Sequence, residues 1–386
     1  MDLNRYGLKP QAVMPDLDRD GLVLLYCPPS RRLHQHEAAT HADLARKLAA
    51  LQGLEFGGDY QPDDRYSRPL YFVPSDTLLN SESEALGIGD CHQLFGGVVP
   101  FSFVATKAIT HGLANAASPA PLGWSPVLSE RLRNQVLPGY SAFSVADLKS
   151  AATELFRLGR IRIKLPDGIG GSGQFVASSM DELLVLVEKI DQEKLVQQGI
   201  VAETNLNEVV THSVGQCVVG DILISYCGKQ RTTTSNHGKE VYGGSDLIIV
   251  RGDFDNLVKL DLDDSTRTAI TQACMYHRAA LSSYPDIVVS RANYDVAQGV
   301  DDSGQWRSGV LEQSWRIGGA SGAEVVAFEA FDANPSLEVV CASTVEQYGP
   351  PSVLPGGAYV YYQGIDDKVG PLTKYALIED YAHLRQ

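Results

Sequence analysis

The chain of 386 residues carries 32 Lys and Arg against 47 Asp and Glu, a net charge of −15, with 44% hydrophobic and 20% charged residues. Its length exceeds the size at which single cores stop growing, so two or three packed subdomains are expected. The acidic balance is spread along the chain and argues against nonspecific nucleic-acid binding, while an anionic ligand remains compatible wherever a few local cations reverse the field.

The opening stretch MDLNRYGLKPQAVMPDLDRDG is polar and has no apolar h-region, so no secretory leader is expected. No run approaches the ~18 apolar residues of a membrane span. Cys27, Cys91, Cys217, Cys227, Cys274 and Cys341 lie far apart without a C-x-x-C pair. They read as reduced thiols of a cytoplasmic protein rather than as a zinc site or a disulfide framework.

GLVLLYCP (21–28) is a short apolar run closed by proline, and HEAATHADLARKLAAL (36–51) places Leu44, Leu48 and Leu51 on one helical face. This strand and helix, with PLYFVPSDTL and GGVVPFSFVATKAITHGL repeating the alternation, predict a small α/β domain over 1–105. ASPAPLGWSPVL (117–128) reads as a loop. SVADLKSAATELFRLG predicts an amphipathic helix, IRIKLP and QFVAS two strands, and Ser179 with Glu182 a capping box for MDELLVLVEKID. GIVAETNL, EVVTHSVGQCVVG and DILISYCGKQ read as strands, and RTTTSNHGKEVYGGSD as a loop before the strand LIIVRG. A helix is expected over 264–283, then a hairpin of NYDVAQGV and RSGVLEQSW around DDSGQW. In the last segment, AYVYYQ is strand-like and LTKYALIEDYAHLRQ suits a final helix.

Between IRIKLP and QFVAS, GIGGSG fits the dinucleotide fingerprint at Gly168, Gly170 and Gly173. That fingerprint requires a helix at its third glycine. Here Gln-Phe-Val-Ala-Ser follows, strand-like, and the alternative phosphate-loop template lacks its Lys-Ser or Lys-Thr. What remains is a glycine-rich turn between antiparallel strands, with Lys164 on the first. Glycines suit a structural hairpin turn, and four in six residues also suit a loop whose N–H groups close over phosphates.

Strand with lysine, glycine-rich hairpin, capped helix, strand ending in V-x-E and a late hairpin with E-x-polar-x-R: this order resembles the ATP-grasp superfamily over roughly residues 100–330. The resemblance implies α+β lobes preceded by an N-terminal α/β domain (1–105). It implies an ATP-grasp region over 106–330, with a nucleotide-binding lobe about 144–204 and a metal-binding lobe about 205–330. Residues 331–386 would be a C-terminal extension packing on that core. By position, Lys107 and Lys164 would contact phosphates, and Gly170, Gly171 and Gly173 would form the lid. In VAETNL, the backbone at Ala202 and Thr204 would take the adenine edge, with Glu203 hydrogen-bonding the nucleotide. In LEQSWRIGG, Glu312 would be a metal ligand, Ser314 would stand where the family uses Asn, and Arg316 would lie near the substrate. A serine hydroxyl is a weaker magnesium ligand than an amide oxygen.

A turn centred near Ser303 puts Asp295 almost opposite Leu311 and Glu312, making Asp295 the second carboxylate ahead of Asp301 and Asp302, with Asn293 two residues earlier on the same face. Lys229, Arg231, His237 and Lys239 could meet the γ-phosphate or an acidic substrate.

The resemblance thus implies ATP- and magnesium-dependent ligation of a small carboxylate to an amine or similar nucleophile through an acylphosphate. Competing readings are a phosphotransferase on the same scaffold, a nucleotide-binding protein without turnover, and an NAD-dependent oxidoreductase, which the strand after Gly173 disfavours. No nucleic-acid or membrane partner is expected, and a homodimer is the default assembly.

Overall fold

The computed structural model describes residues 20–29, 31–166, 168 and 173–379. Four sheets organise them. In the first, β1 (Leu22–Tyr26) lies between β2 (Glu55–Asp59) and β3 (Leu70–Pro74), all parallel. Helix α1 (Gln35–Gln52) provides the first crossover, burying Leu44 and Leu48 as its periodicity predicts, and Gly53 ends it in the left-handed conformation. A short strand β4 (Leu78–Leu79) and helix α2 (Asn80–Leu86) lead to β5 (Gly97–Val99), which pairs parallel with β4.

After β5, the expected strand–helix alternation stops. Pro100 interrupts the chain, and Ser102–Ala105 and Lys107–Thr110 are two 3-10 turns, the second capped by the Thr106 hydroxyl. The proline-rich loop ends at Ser125, which caps a short helix α3 (Pro126–Leu132) with proline at its start.

The next sheet contains β6 (Gly139–Ala142), β7 (Ile161–Lys164), β8 (Gln174–Ala177) and β9 (Ile200–Thr204), in the order β6-β9-β7-β8. Helices α4 (Val145–Leu155), α5 (Met180–Val187) and α6 (Gln192–Gln198) accompany it, and Leu148, Leu155, Leu183 and Leu195 pack against its Ile161, Ile163 and Ala202. The β7–β8 hairpin and the α5 cap agree with the sequence, except that Glu182 accepts from the Ser178 amide, one residue before the expected partner.

The largest sheet has eight strands. Its middle consists of β10 (Asn207–Val219), β11 (Ile222–Thr234) and β12 (Glu240–Arg251). The expected loop over 231–246 is therefore mostly strand, with its turn confined to 235–239. Threonine-rich pairing extends the hairpin, and a register shift at Arg231 and Thr232 absorbs the irregularity. After α7 (Phe254–Leu257) and α8 (Asp264–Ser283), β13 (Val288–Val289) pairs with β5. The hairpin β14 (Arg291–Val300) and β15 (Trp306–Ser314) forms one sheet edge, with β14 on β10.

Helix α9 (Ser321–Ala333) covers one face, contributing Val325, Phe328 and Phe331 to a core shared with α1. Beyond it, β16 (Val339–Tyr348), β17 (Tyr359–Asp366) and β18 (Gly370–Glu379) complete the sheet in the order β12-β16-β18-β17. The final helix expected from LTKYALIEDYAHLRQ is not formed by its described part. Residues 372–376 are all buried in β18, which is held on both sides, so ladder pairing overrides local helix propensity. Among the described residues, no helix is long and apolar enough to cross a membrane.

Candidate functional site

The site is built where the small antiparallel sheet, the 3-10 turn at Lys107 and the β14–β15 hairpin meet. The turn is fastened from several sides. The Gln313 amide on β15 donates to the Val104 and Thr106 carbonyls at 2.9 and 2.7 Å, and Tyr276 of α8 donates to Gln313 and lies 3.1 Å from the Thr110 hydroxyl. These contacts fix Lys107, which is 4% exposed, over the hairpin: its ammonium lies 2.9 Å from Glu312 Oε2 and donates to the Gly168 carbonyl at 2.9 Å.

Lys164, at the end of β7, comes from the other side and is 1% exposed. Its ammonium sits 2.6 Å from Glu203 Oε1 and donates to the Leu311 carbonyl at 3.3 Å. The two expected phosphate lysines thus converge on the segment carrying Glu312. Gly173, at φ +66°, returns the glycine loop: its carbonyl accepts from the Leu165 amide at 2.9 Å, and a Cβ there would approach the Gly168 Cα to 3.1 Å. Gly170 and Gly171 lie outside the described residues.

On the hairpin, Asp295 lies directly opposite Glu312: a turn centred on Ser303 alone would pair it with Leu311, and a register shift between Asp295 and Val296 moves the pairing on by one residue. Asp295 accepts from the Gln230 amide at 2.8 Å and the Asn293 amide at 2.9 Å. Burial and the neighbouring Glu312 charge push its carboxyl up to about 6, against those two hydrogen bonds. Glu312 goes the other way: burial pushes it up, but Lys107, Lys164 and Arg316 together hold it below the usual carboxylate range.

Glu203 is fully buried, with its carboxylate turned inward onto Lys164 and, at 3.2 Å, onto His111. Burial pushes this carboxyl up, and its two partners Lys164 and His111 pull it net downward. Ala202 and Thr204 sit on β9, an interior strand flanked by β6 and β7, and the Thr204 amide donates to the Pro138 carbonyl. Ala202 is thereby paired on both sides, and the Thr204 amide is taken by the Pro138 carbonyl.

Ser314 Oγ lies 3.5 Å from an Arg291 guanidinium nitrogen, whose charge opposes a cation at that hydroxyl. The Asn293 amide oxygen accepts from Ser213 and Tyr226, leaving its NH2 group, not its oxygen, toward Asp295. Asp301 and Asp302 are structural: Asp301 closes its own turn and pairs with Arg307, and Asp302 accepts from Arg160. Among the loop cations, Arg231 pairs with Asp246 and donates to the Thr344 carbonyl. Lys229, His237 and Lys239 are exposed.

Arg316 lies past the end of β15, 19% exposed, with Nε 3.7 Å from Asp76. Burial and the nearby Arg31 and Arg291 charges lower its pKa, against the pull of Asp76. Its backbone is held from beneath. Arg291, 1% exposed, forks onto the fully buried Glu324 of α9 and donates its remaining nitrogen to the Ser314 and Arg316 carbonyls. Sequence reading missed Arg291, Glu324, Gln313 and His111, because buried partners from distant elements carry no local spacing. His111 was closest to view, four residues beyond Lys107 in the same stretch.

Asp295 and Glu312 form a sparse two-carboxylate set, the number magnesium uses when phosphate oxygens and waters complete its octahedron. The raised Asp295 carboxyl, charged against its neighbour, fits a site that a divalent cation would relieve. Among the described residues no group of three or more His, Cys, Asp or Glu is placed to hold a metal.

A family model described as "Protein of unknown function (DUF3182)" matches residues 24–376. No curated protein matches the sequence. Among solved structures, the biotin carboxylase of Campylobacter jejuni, in complex with β-γ-ATP, is similar at 12% identity and TM-score 0.50, over 94% of this chain and 87% of that one. An N5-carboxyaminoimidazole synthetase of Staphylococcus aureus complexed with ADP matches at 11% identity and TM-score 0.49, over 94% and 93%. A D-alanine–D-alanine ligase of Bacillus anthracis matches at 11% identity and TM-score 0.44, over 81% and 92%. At such identities the biotin carboxylase likeness speaks for the fold alone, and the fold is ATP-grasp.

Proposed function

Because the chain belongs to the DUF3182 family, whose description assigns no function, we propose its activity from the site itself: ATP-dependent ligation of a small carboxylate to an amine or similar nucleophile. The observation that supports this most is the meeting of Lys107 and Lys164, from separate elements, at a hairpin that sets Asp295 opposite Glu312. A triphosphate needs this kind of setting in a chain of net charge −15, because only local cations can hold it.

A substrate carboxylate oxygen attacks the γ-phosphorus, the bond to the β-phosphate oxygen breaks, and ADP leaves. The amine nitrogen then attacks the acyl carbon, inorganic phosphate departs, and the nitrogen loses a proton. Lys107 and Lys164 orient the phosphates, and their burial removes competing water. Arg316 holds the carboxylate. Asp295 and Glu312 would hold magnesium, which when bound would neutralise phosphate charge.

The test is the thermal midpoint with Mg-ATP, ADP and NAD, on the wild type and on Lys164→Ala and Glu312→Ala. Ligand at ~100 times its Kd adds about 2.7 kcal/mol of stability, a shift of several degrees. A shift with Mg-ATP that both substitutions abolish supports the reading, and a response to NAD alone defeats it. A second reading, nucleotide binding without turnover, is favoured by the hold of Arg291 on Ser314 and by the existing pairing of Glu312 with Lys107. It would appear as an ATP shift without phosphate release on any carboxylate and amine pair.

A further inference from the structure

The carboxamide of Asn293, on β14, meets three neighbours: Ser213 Oγ at 2.6 Å, Tyr226 Oη at 2.9 Å and Asp295 Oδ1 at 2.9 Å. Tyr226 is fully buried on β11, and its hydroxyl also reaches Glu324 Oε1 at 2.6 Å. Gly215, directly opposite Asn293, provides the space for this tyrosine, since a Cβ there would stand 2.3 Å from Tyr226 Oη.

A tyrosine hydroxyl has one hydrogen to give. The fully buried Glu324 carboxylate, at the shorter distance, takes it, because a bond to a charged acceptor is the stronger one. In the orientation described above, the Asn293 oxygen then faces Tyr226 Oη with no hydrogen between them, which costs free energy in a buried site. Turning the carboxamide by half a revolution resolves that contact. Nδ2 carries two hydrogens, one for Tyr226 Oη and one for Ser213 Oγ, and a hydroxyl oxygen can accept. The same turn places Oδ1 where Nδ2 now stands, 2.9 Å from Asp295 Oδ1.

Either orientation thus leaves one pair of oxygens facing each other, at Tyr226 in the first and at Asp295 in the second. Only the second pair is suited to a cation. Adjacent oxygens around an octahedral magnesium ion, bound at about 2.1 Å, stand about 3.0 Å apart. Asp295 Oδ1 accepts from both Gln230 and Asn293, so the turn also frees a lone pair on that oxygen.

We propose that Asn293 turns its amide oxygen toward Asp295 and serves as a third magnesium ligand beside Asp295 and Glu312, with Tyr226 as the positioning residue that takes up the displaced NH2 group. The inference rests on the metal assignment made above for Asp295 and Glu312, and it adds a ligand and the partner that aims it. Tyr226 aims it because its own hydrogen is committed to Glu324, which Arg291 holds from the other side.

Mn2+ alone is the probe, because its free aqueous ion is counted by electron paramagnetic resonance. In titrations of the full chain, Tyr226→Phe removes the acceptor for the NH2 group and should weaken Mn2+ binding about tenfold, and Asn293→Leu should weaken it at least as much. A second measurement needs no substitution in the protein observed. With asparagine 15N-labelled, and the Asn293 NH2 signals identified by their loss in Asn293→Leu, their cross-relaxation with the Tyr226 ring should grow severalfold when MgCl2 is added.

Unchanged Mn2+ affinity in Tyr226→Phe, or NH2 signals indifferent to magnesium, overturns the inference. If Glu312→Gln still abolishes Mn2+ binding in that case, the two-carboxylate site stands without Asn293. If the wild type binds no Mn2+, or if Glu312→Gln and Asp295→Asn bind it as the wild type does, the metal assignment falls and the role of Asn293 falls with it.

Discussion

Lys164 and Glu203 show how strongly a single buried charge constrains this site. Each is at most 1% exposed, and each is the counter-ion of the other. Lys164→Met should therefore leave the buried Glu203 carboxylate with His111 alone as its partner and cost about 3–5 kcal/mol in urea unfolding at pH 7. Adding Glu203→Gln should recover much of that loss, and independent costs for the two substitutions would show the pair to be uncoupled. Asp295 gives the opposite sign. Its folded pKa, about 6, stands above the usual 3.8, so its ionisation opposes folding. This destabilisation is absent below about pH 4, grows as pH rises toward 6, and is complete above that. Asp295→Asn should thus stabilise the ligand-free protein by about 1–3 kcal/mol at pH 8 and by little at pH 4. Equal effects at both pH values would contradict the repulsion between Asp295 and Glu312.

At the scale of elements, the long hairpins depend on close backbone approach at a few points. Gly244 has φ +130°, and a Cβ there would sit 1.9 Å from the Thr344 carbonyl oxygen on the neighbouring β16. Gly244→Ala should force β12 and β16 apart and cost more than about 2 kcal/mol, seen as a lower urea midpoint. A neutral result would mean that the sheet relaxes freely. The same elements show what was legible in the sequence. The alternation of IRIKLP, the α8 segment and the turn at Ser303 were readable because period, cap and turn residues lie within a few positions of one another. Strand β18 was not, because its state is decided by β16 and β17 on either side. The inward turn of Glu203 was hidden for a related reason: V-x-E gives its place on a strand, but His111 and Lys164 decide where its side chain points. The place of Arg316 just past the hairpin was legible from the sequence, while its support by Arg291 and Glu324 was not.

Across the whole molecule, the N-terminal sheet is closed by elements from the other end of the chain. Helix α1 packs on β17 and α9: the His36 amide donates to Asp366 at 3.0 Å, Tyr359 donates to Asp43, and Lys47 stacks on the Tyr359 ring and pairs with Glu329. Ending the chain at Gly349 should consequently strip amide protection from α1 in hydrogen exchange while sparing β6–β9, whose helices pack locally. Undiminished protection in α1 would show that the first sheet holds its helix unaided.

The contact between His36 and Asp366 spans 330 positions. A ribosome adding about 5–20 residues per second needs roughly 15–65 s to travel that far, so α1 emerges long before its cover exists. During that interval the side of α1 that β17 and α9 later cover is open to any passing apolar surface. Yield in the cell should then depend on chaperone holding and on the pace of translation, more than on the stability of the finished protein.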